Sequence, residues 1–160
     1  MTSRFSASWR IAILLTFGSA SVLASGGKPV DIPERIKGSQ KVVVAHASGI
    51  APSWRTNAHG DHLIVSEVTL QIEETLKGPL STVLMMELEG GTVDGVTLHV
   101  SSLPEMKVGD RGVFFLDQTA TGSHKPHLNG MGILKLDAKD QVRGSSLKLD
   151  DIRRAAQDAK

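Results

Sequence analysis

Between Leu63 and Leu76 the side chains alternate. Val68, Leu70 and Ile72 are apolar, and Thr69, Gln71 and Glu73 between and after them are polar. A helix would scatter the three apolar residues around its axis, whereas a strand puts them on one face. A half-buried strand of this length needs partners to pair with and a core to bury its apolar side. A β fold is therefore the first constraint on the chain. Lys77-Gly78-Pro79 ends the pattern with residues that favour a turn.

Other segments fit the same reading. Lys41 to Ala47 (KVVVAHA) is short and β-branched, a first strand. Thr82 to Leu88 is a third, apolar on both faces for most of its length. Val93 to Val100 is a fourth, with Val96, Leu98 and Val100 alternating with Thr97 and His99. Gly112 to Leu116 (GVFFL) is a fifth and the most central. Gly130 to Leu136 and Gln141 to Arg143 add two more around an Asp137–Asp140 turn. The polar stretches Ser48–Gly60 and Thr119–Asn129 read as loops, the second as a loop or exposed hairpin.

The tail changes period. Leu149, Ile152, Ala156 and Ala159 recur at helical spacing. Asp150 and Asp151 at its start and Lys160 at its end suit the helix dipole. The expectation is a mainly β chain. A small Greek-key barrel or sandwich of five to seven strands spans residues 41–143, and a short amphipathic helix spans 145–160.

The N-terminus is different again. Residues 1–10 carry Arg4 and Arg10 and no acid, and Ile11 to Ala24 is apolar or small throughout. Val22 and Ala24 stand at −3 and −1 of a cut before Ser25. These are the three parts of a cleavable signal peptide, 1–24. The apolar run is too short to remain as a stable membrane anchor. Residues 25–40, with glycine and proline and no periodicity, read as a flexible lead-in. The expected location is secreted or periplasmic.

Composition then excludes function classes. Cleavage would move the formal charge from +1 to −1, which removes any electrostatic reason to bind nucleic acid or an anionic membrane. No cysteine is present, so thiol catalysis, iron–sulfur clusters, cysteine-based zinc sites and lipid attachment at cysteine are all absent. After residue 24 the aromatic residues are Trp54, Phe114 and Phe115, two of them inside an apolar strand. Stacking sites for sugars or single-stranded nucleic acid are built from exposed rings, and only Trp54 is available for one.

Two stretches carry a resemblance when taken with KVVVAHA. They are VTLQIEETLKGPL (Val68 to Leu80) and GGTVDGVTLHVSSLPEMKVGDRGVFFL (Gly90 to Leu116). Together they resemble an uncharacterised family of exported bacterial domains, found alone or beside other secreted modules that include matrixin-type proteases. The order of elements is also similar to the netrin-like module of the tissue inhibitors of metalloproteases, which implies an OB-like barrel. Those inhibitors place an N-terminal cysteine on the protease zinc. This chain has none, so the resemblance implies the barrel and not the inhibition. Neither resemblance supplies functional residues. Gly78, Gly90, Gly91 and Gly109 read as turns, and Lys77, Asp110 and Arg111 as solvated turn charges.

Candidate sites are few. His59 and His62 form one H-x-x-H and His124 and His127 another, and four imidazoles from two loops can bind zinc or copper. No glutamate sits between the histidines, so neither pair is the zincin helix motif. No G-x-S-x-G elbow and no phosphate-binding glycine loop is present. Glu73 and Glu74 are neighbours in a strand, and without a bulge they face opposite ways. Trp54 and Arg55, types enriched where interfaces are strongest, make the Ser48–Gly60 loop the candidate partner contact. The reading is an exported, non-enzymatic binding or accessory module without a cofactor, its partner another exported protein. The rival is a metal-binding protein using the four histidines, and a hydrolase without a recognised motif ranks third.

Overall fold

The structure is a computed structural model, and it describes residues 31–57 and 59–159. The expected signal peptide lies outside the described residues. The fold is mainly β. Its elements run α1 (Ile32–Gly38), β1 (Lys41–Thr56), β2 (His62–Lys77), β3 (Val83–Glu89), β4 (Gly91–Val93), β5 (Val96–Leu98), β6 (Arg111–Gln118), β7 (His124–Pro126), β8 (Ile133–Lys135) and α2 (Leu149–Asp158).

The main sheet closes on itself. Its order is β1-β2-β3-β7-β6, and β6 returns to pair with β1. Neighbours are antiparallel except for β3 and β7, which meet in parallel at Met86 and His124. This is a small five-stranded Greek-key barrel of the OB kind. β8 follows β7 along the same edge of β6, with Gly112–Phe114 paired to Lys135–Ile133.

Two cores explain why the central strands are apolar on both faces. Val43, Ala45, Leu70, Met86, Phe114 and Leu116 fill the barrel. Val42, Val44, Val113 and Phe115 point the other way, onto Ile36 of α1 and Leu149, Ile152 and Ala156 of α2. Alternation along KVVVAHA and GVFFL therefore sorts residues between two dry layers rather than between core and water.

Several expected boundaries move. The lead-in expected over 25–40 contains a helix. Ile32 and Ile36 are one turn apart, Pro33 stands in the first turn, and Ile36 is 1% exposed. The loop expected over Ser48–Gly60 is strand as far as Thr56, paired in register with β2 from Gly49↔Thr69 to Thr56↔His62. The polar composition that suggested a loop belongs to an exposed two-stranded extension. Its tip is built by Asn57, whose Oδ1 accepts the N–H groups of His59 and Asp61, both at 2.9 Å.

The strand expected over Val93–Val100 is a tight hairpin, β4 and β5, turning at Asp94 (φ 50°) and Gly95 (φ 78°). Asp-Gly is the pair that a two-residue turn with positive φ favours. The loop expected over Thr119–Asn129 contributes β7. The strand expected over Gln141–Arg143 is reduced to two isolated bridges, Leu136↔Val142 and Gln141↔Lys148. The terminal helix is Leu149–Asp158, with Leu149, Ile152 and Ala156 buried as its period requires.

Candidate functional site

The strand register decides where each candidate side chain goes. Trp54 lies opposite Ile64 and Arg55 opposite Leu63. Successive strand residues face opposite sides, so the two do not form one contact surface. Trp54 shares the face of Pro52 and Ile64 and is 43% exposed. Arg55 lies on the outer face and pairs with Glu67 at 3.7 Å.

The four histidines are not brought together. His59 is exposed at the β1–β2 tip and His62 opens β2. His127 Nδ1 lies 2.8 Å from Asp117 Oδ2, and its ring is packed beneath the end of α1. A Cβ on Gly38 would stand 2.7 Å from its Nε2. His124 sits in β7, where burial and the charge of Lys41 lower its pKa, against a hydrogen bond to the Met85 backbone that raises it. Among the described residues no three His, Asp or Glu side chains are placed to hold a metal ion. His124 is thus a half-buried strand residue and His127 a half-buried turn residue just after β7.

The charges expected to be solvated are engaged. Lys77 Nζ donates to the carbonyls of Ile36, Lys37 and Ser39 at 2.7, 3.1 and 2.6 Å, and so ties β2 to the C-terminal end of α1. Arg111 bonds Glu73 at 2.6 Å and Asp140 at 2.5 Å. Asp110 accepts from Lys135 at 2.7 Å and from the Lys107 N–H at 2.8 Å. Glu73 interrupts the β1–β2 register as the extra residue of a bulge, and it holds Arg111 while Glu74 holds Arg153. The bulge does not make a carboxylate pair of them. Lys41 is buried, its ammonium 2.7 Å from Ser81 Oγ, and burial lowers its pKa.

The outer face of β2 and β3 carries a groove of about 410 Å³. Leu63 and Val65 of β2 form one side, and Glu87 and Glu89 of β3 lie beside them. Arg55 and Asn57 close one end at the β1–β2 tip, and Thr119 and Thr121 of the β6–β7 loop face Lys125 at the other. A chain of hydroxyls fixes that loop. Thr119 Oγ1 lies 2.8 Å from both Thr121 Oγ1 and Ser123 Oγ, and Ser123 donates to Glu87 Oε1 at 2.7 Å.

The groove thus offers aliphatic surface, both signs of charge, and hydroxyl and amide donors, with no aromatic ring among its lining residues. That set can hold an extended segment by contact and hydrogen bonding. Sequence reasoning found Arg55 and missed the rest, because β7 is too short to show a pattern and Leu63 and Val65 look like ordinary strand residues. No family model matches this chain, and no curated protein matches it either.

Proposed function

We propose that the protein is an exported, non-enzymatic binding module that grips an extended segment of another exported protein in the groove on β2 and β3. The observation that carries this reading is the place of the groove. Barrels of this kind use the face of their second and third strands, bounded by the first hairpin loop and the loop before the last barrel strand. Here those are β2, β3, the Asn57–Asp61 tip and the Thr119–Ser123 loop.

The chemistry of the lining narrows the ligand. Without aromatic rings the groove has no platform on which bases or sugars stack. Arg55 and Lys125 set against Glu87 and Glu89 suit a peptide carrying both charges, not a polyanion. The aliphatic floor of Leu63 and Val65 supplies the apolar contact that such a segment needs.

The test is crosslinking in the compartment where the protein acts. A photoreactive residue at Val65 should give a discrete protein adduct in the envelope or secreted fraction, and the same group at Arg154 on α2 should not. Arg55→Ala should weaken the adduct and Trp54→Ala should leave it intact. Equal adducts at both positions, or none at Val65, would refute the groove. Export itself is checked by the intact mass of the recovered protein, which should begin at or within a residue or two of Ser25.

A further inference from the structure

We propose a second binding site at the open mouth of the barrel, for a small aliphatic amine. It follows from where the strands stop. β6 pairs with β1 only over Lys41–His46. Beyond the irregularity between Ala47 and Gly49, Ile50 and Pro52 of β1 still share the inward face of β2 and β3, opposite Val68 and Ser66. The missing wall is supplied by the β4–β5 hairpin and by residues 99–106, and the half-open chamber is about 340 Å³. Small-molecule sites span roughly 300–1,000 Å³.

The chamber has a floor, walls and a rim of different chemistry. Val68 and Leu88 are the buried floor. Ile50, Leu98, Leu103 and Met106 are half-buried walls. No Phe, Tyr or Trp lines the space, so a saturated chain fits it better than a planar one, and the flexible Met106 thioether adapts to its length.

The rim carries Glu105 and His99, both exposed, with no lysine or arginine in the lining. Glu105 and Lys107 stand 3.8 Å apart with both side chains more than two-thirds exposed, a contact too solvated to neutralise the carboxylate. An ammonium head complements this rim and a carboxylate head is repelled by it.

The lid is a separate piece of structure. The β4–β5 hairpin is a two-stranded sheet of its own. It is held at its base by the Ser66 hydroxyl, which donates to the Gly90 carbonyl at 2.7 Å. Gly91 sits against the barrel so closely that a Cβ there would stand 2.5 Å from Ser66 Oγ and 2.9 Å from Pro52 Cβ. One end of the lid is thus pinned, and its turn at Asp94-Gly95 extends over open space.

Octylamine, 1-octanol and octanoate distinguish the claims when titrated against the full protein and followed by the methyl shifts of Val68, Leu103 and Met106. Saturable binding of the amine is expected, about tenfold tighter than the alcohol and tighter still than the acid. Met106→Trp, which fills the chamber without touching the outer groove, should abolish it. The exposed Glu105→Gln should bring the amine down to the level of the alcohol. No saturable shift with any probe would overturn the proposal. So would binding indifferent to the head group, or amine binding unchanged in Glu105→Gln. Should Met106→Trp fail to fold, Glu105→Gln alone decides.

Discussion

Lys77 shows how much one side chain does here. A lysine before glycine at a strand end is ordinarily a solvated charge. In this fold its ammonium sits at the C-terminal end of α1, where helix carbonyls lack intrahelical partners and the helix dipole is negative. Lys77→Met keeps most of the aliphatic stem and removes the donors. It should cost about 1–3 kcal/mol, the range for hydrogen bonds that involve a charged group. Hydrogen exchange should localise the effect, with the amides of residues 35–39 exchanging faster while β6 is unchanged. Uniform protection across both would show that α1 is held by packing alone.

Asp110 gives a pH dependence. Burial by itself would raise its pKa. The hydrogen bonds from Lys135 and the Lys107 N–H, with the charges of Lys135 and Arg143, outweigh that and hold the carboxyl below its ordinary value. A depressed folded-state pKa contributes stability that is present above the unfolded value, about 3.9 for Asp. That stability is lost as the pH falls through the folded-state value. Asp110→Asn should therefore melt lower than the parent at neutral pH, and the gap between the two should close below about pH 4. Melting curves across that range read it directly, and a gap independent of pH would assign the loss to packing.

At the scale of elements, what the sequence made legible followed from length. β2, β6 and α2 carry enough periodic residues to declare themselves, and all three stand where the patterns put them. The second half of β1 was hidden by Pro52, Ser53 and Asn57. These suggest a loop, yet Pro52 stands where β1 no longer has β6 beside it and a missing N–H costs no ladder bond. β7 and β8 have three residues each, below any period. α1 was obscured by the glycines and prolines around it. The groove inherited all these gaps, since it is assembled from the end of β1, β7 and a loop that only tertiary contacts fix.

The β4–β5 hairpin is the element whose sequence was read and whose shape was not. Alternation through Val96, Leu98 and Val100 is real, but Asp94-Gly95 cuts the run into a lid. Its attachment depends on Gly91, which holds φ at 131° and has no room for a Cβ. Gly91→Ala should lift the hairpin from the barrel. Amides of residues 92–98 should lose protection while those of β2 and β6 keep theirs. A global loss of stability with the hairpin still protected would mean that the barrel mouth, not the lid, yields to the extra methyl group.

At the scale of the whole molecule the design is a barrel with a second core on its outside. Phe114 and Phe115 are adjacent and both fully buried, one in each layer. Such a molecule has two ways to lose stability. Leu70→Ala opens a cavity inside the barrel and should cost about 2–5 kcal/mol, and Phe115→Ala opens one under the helices and should cost about 3–5 kcal/mol.

Ending the chain after Lys148 is the sharper experiment. It removes Leu149, Ile152 and Ala156 together and strips the cover from Phe115 and Val113, leaving α1 as the remaining helix on that face. An apolar surface of that kind recruits dye or other chains. The barrel should remain, because its ring of strands and the inner layer of Val43, Phe114 and Leu116 do not involve α2. The expected product keeps a strand-dominated circular dichroism spectrum, melts lower, and binds a hydrophobic dye. A truncated protein that is unfolded outright would show the two layers to be one cooperative unit. One that melts like the parent would show the outer core to be dispensable.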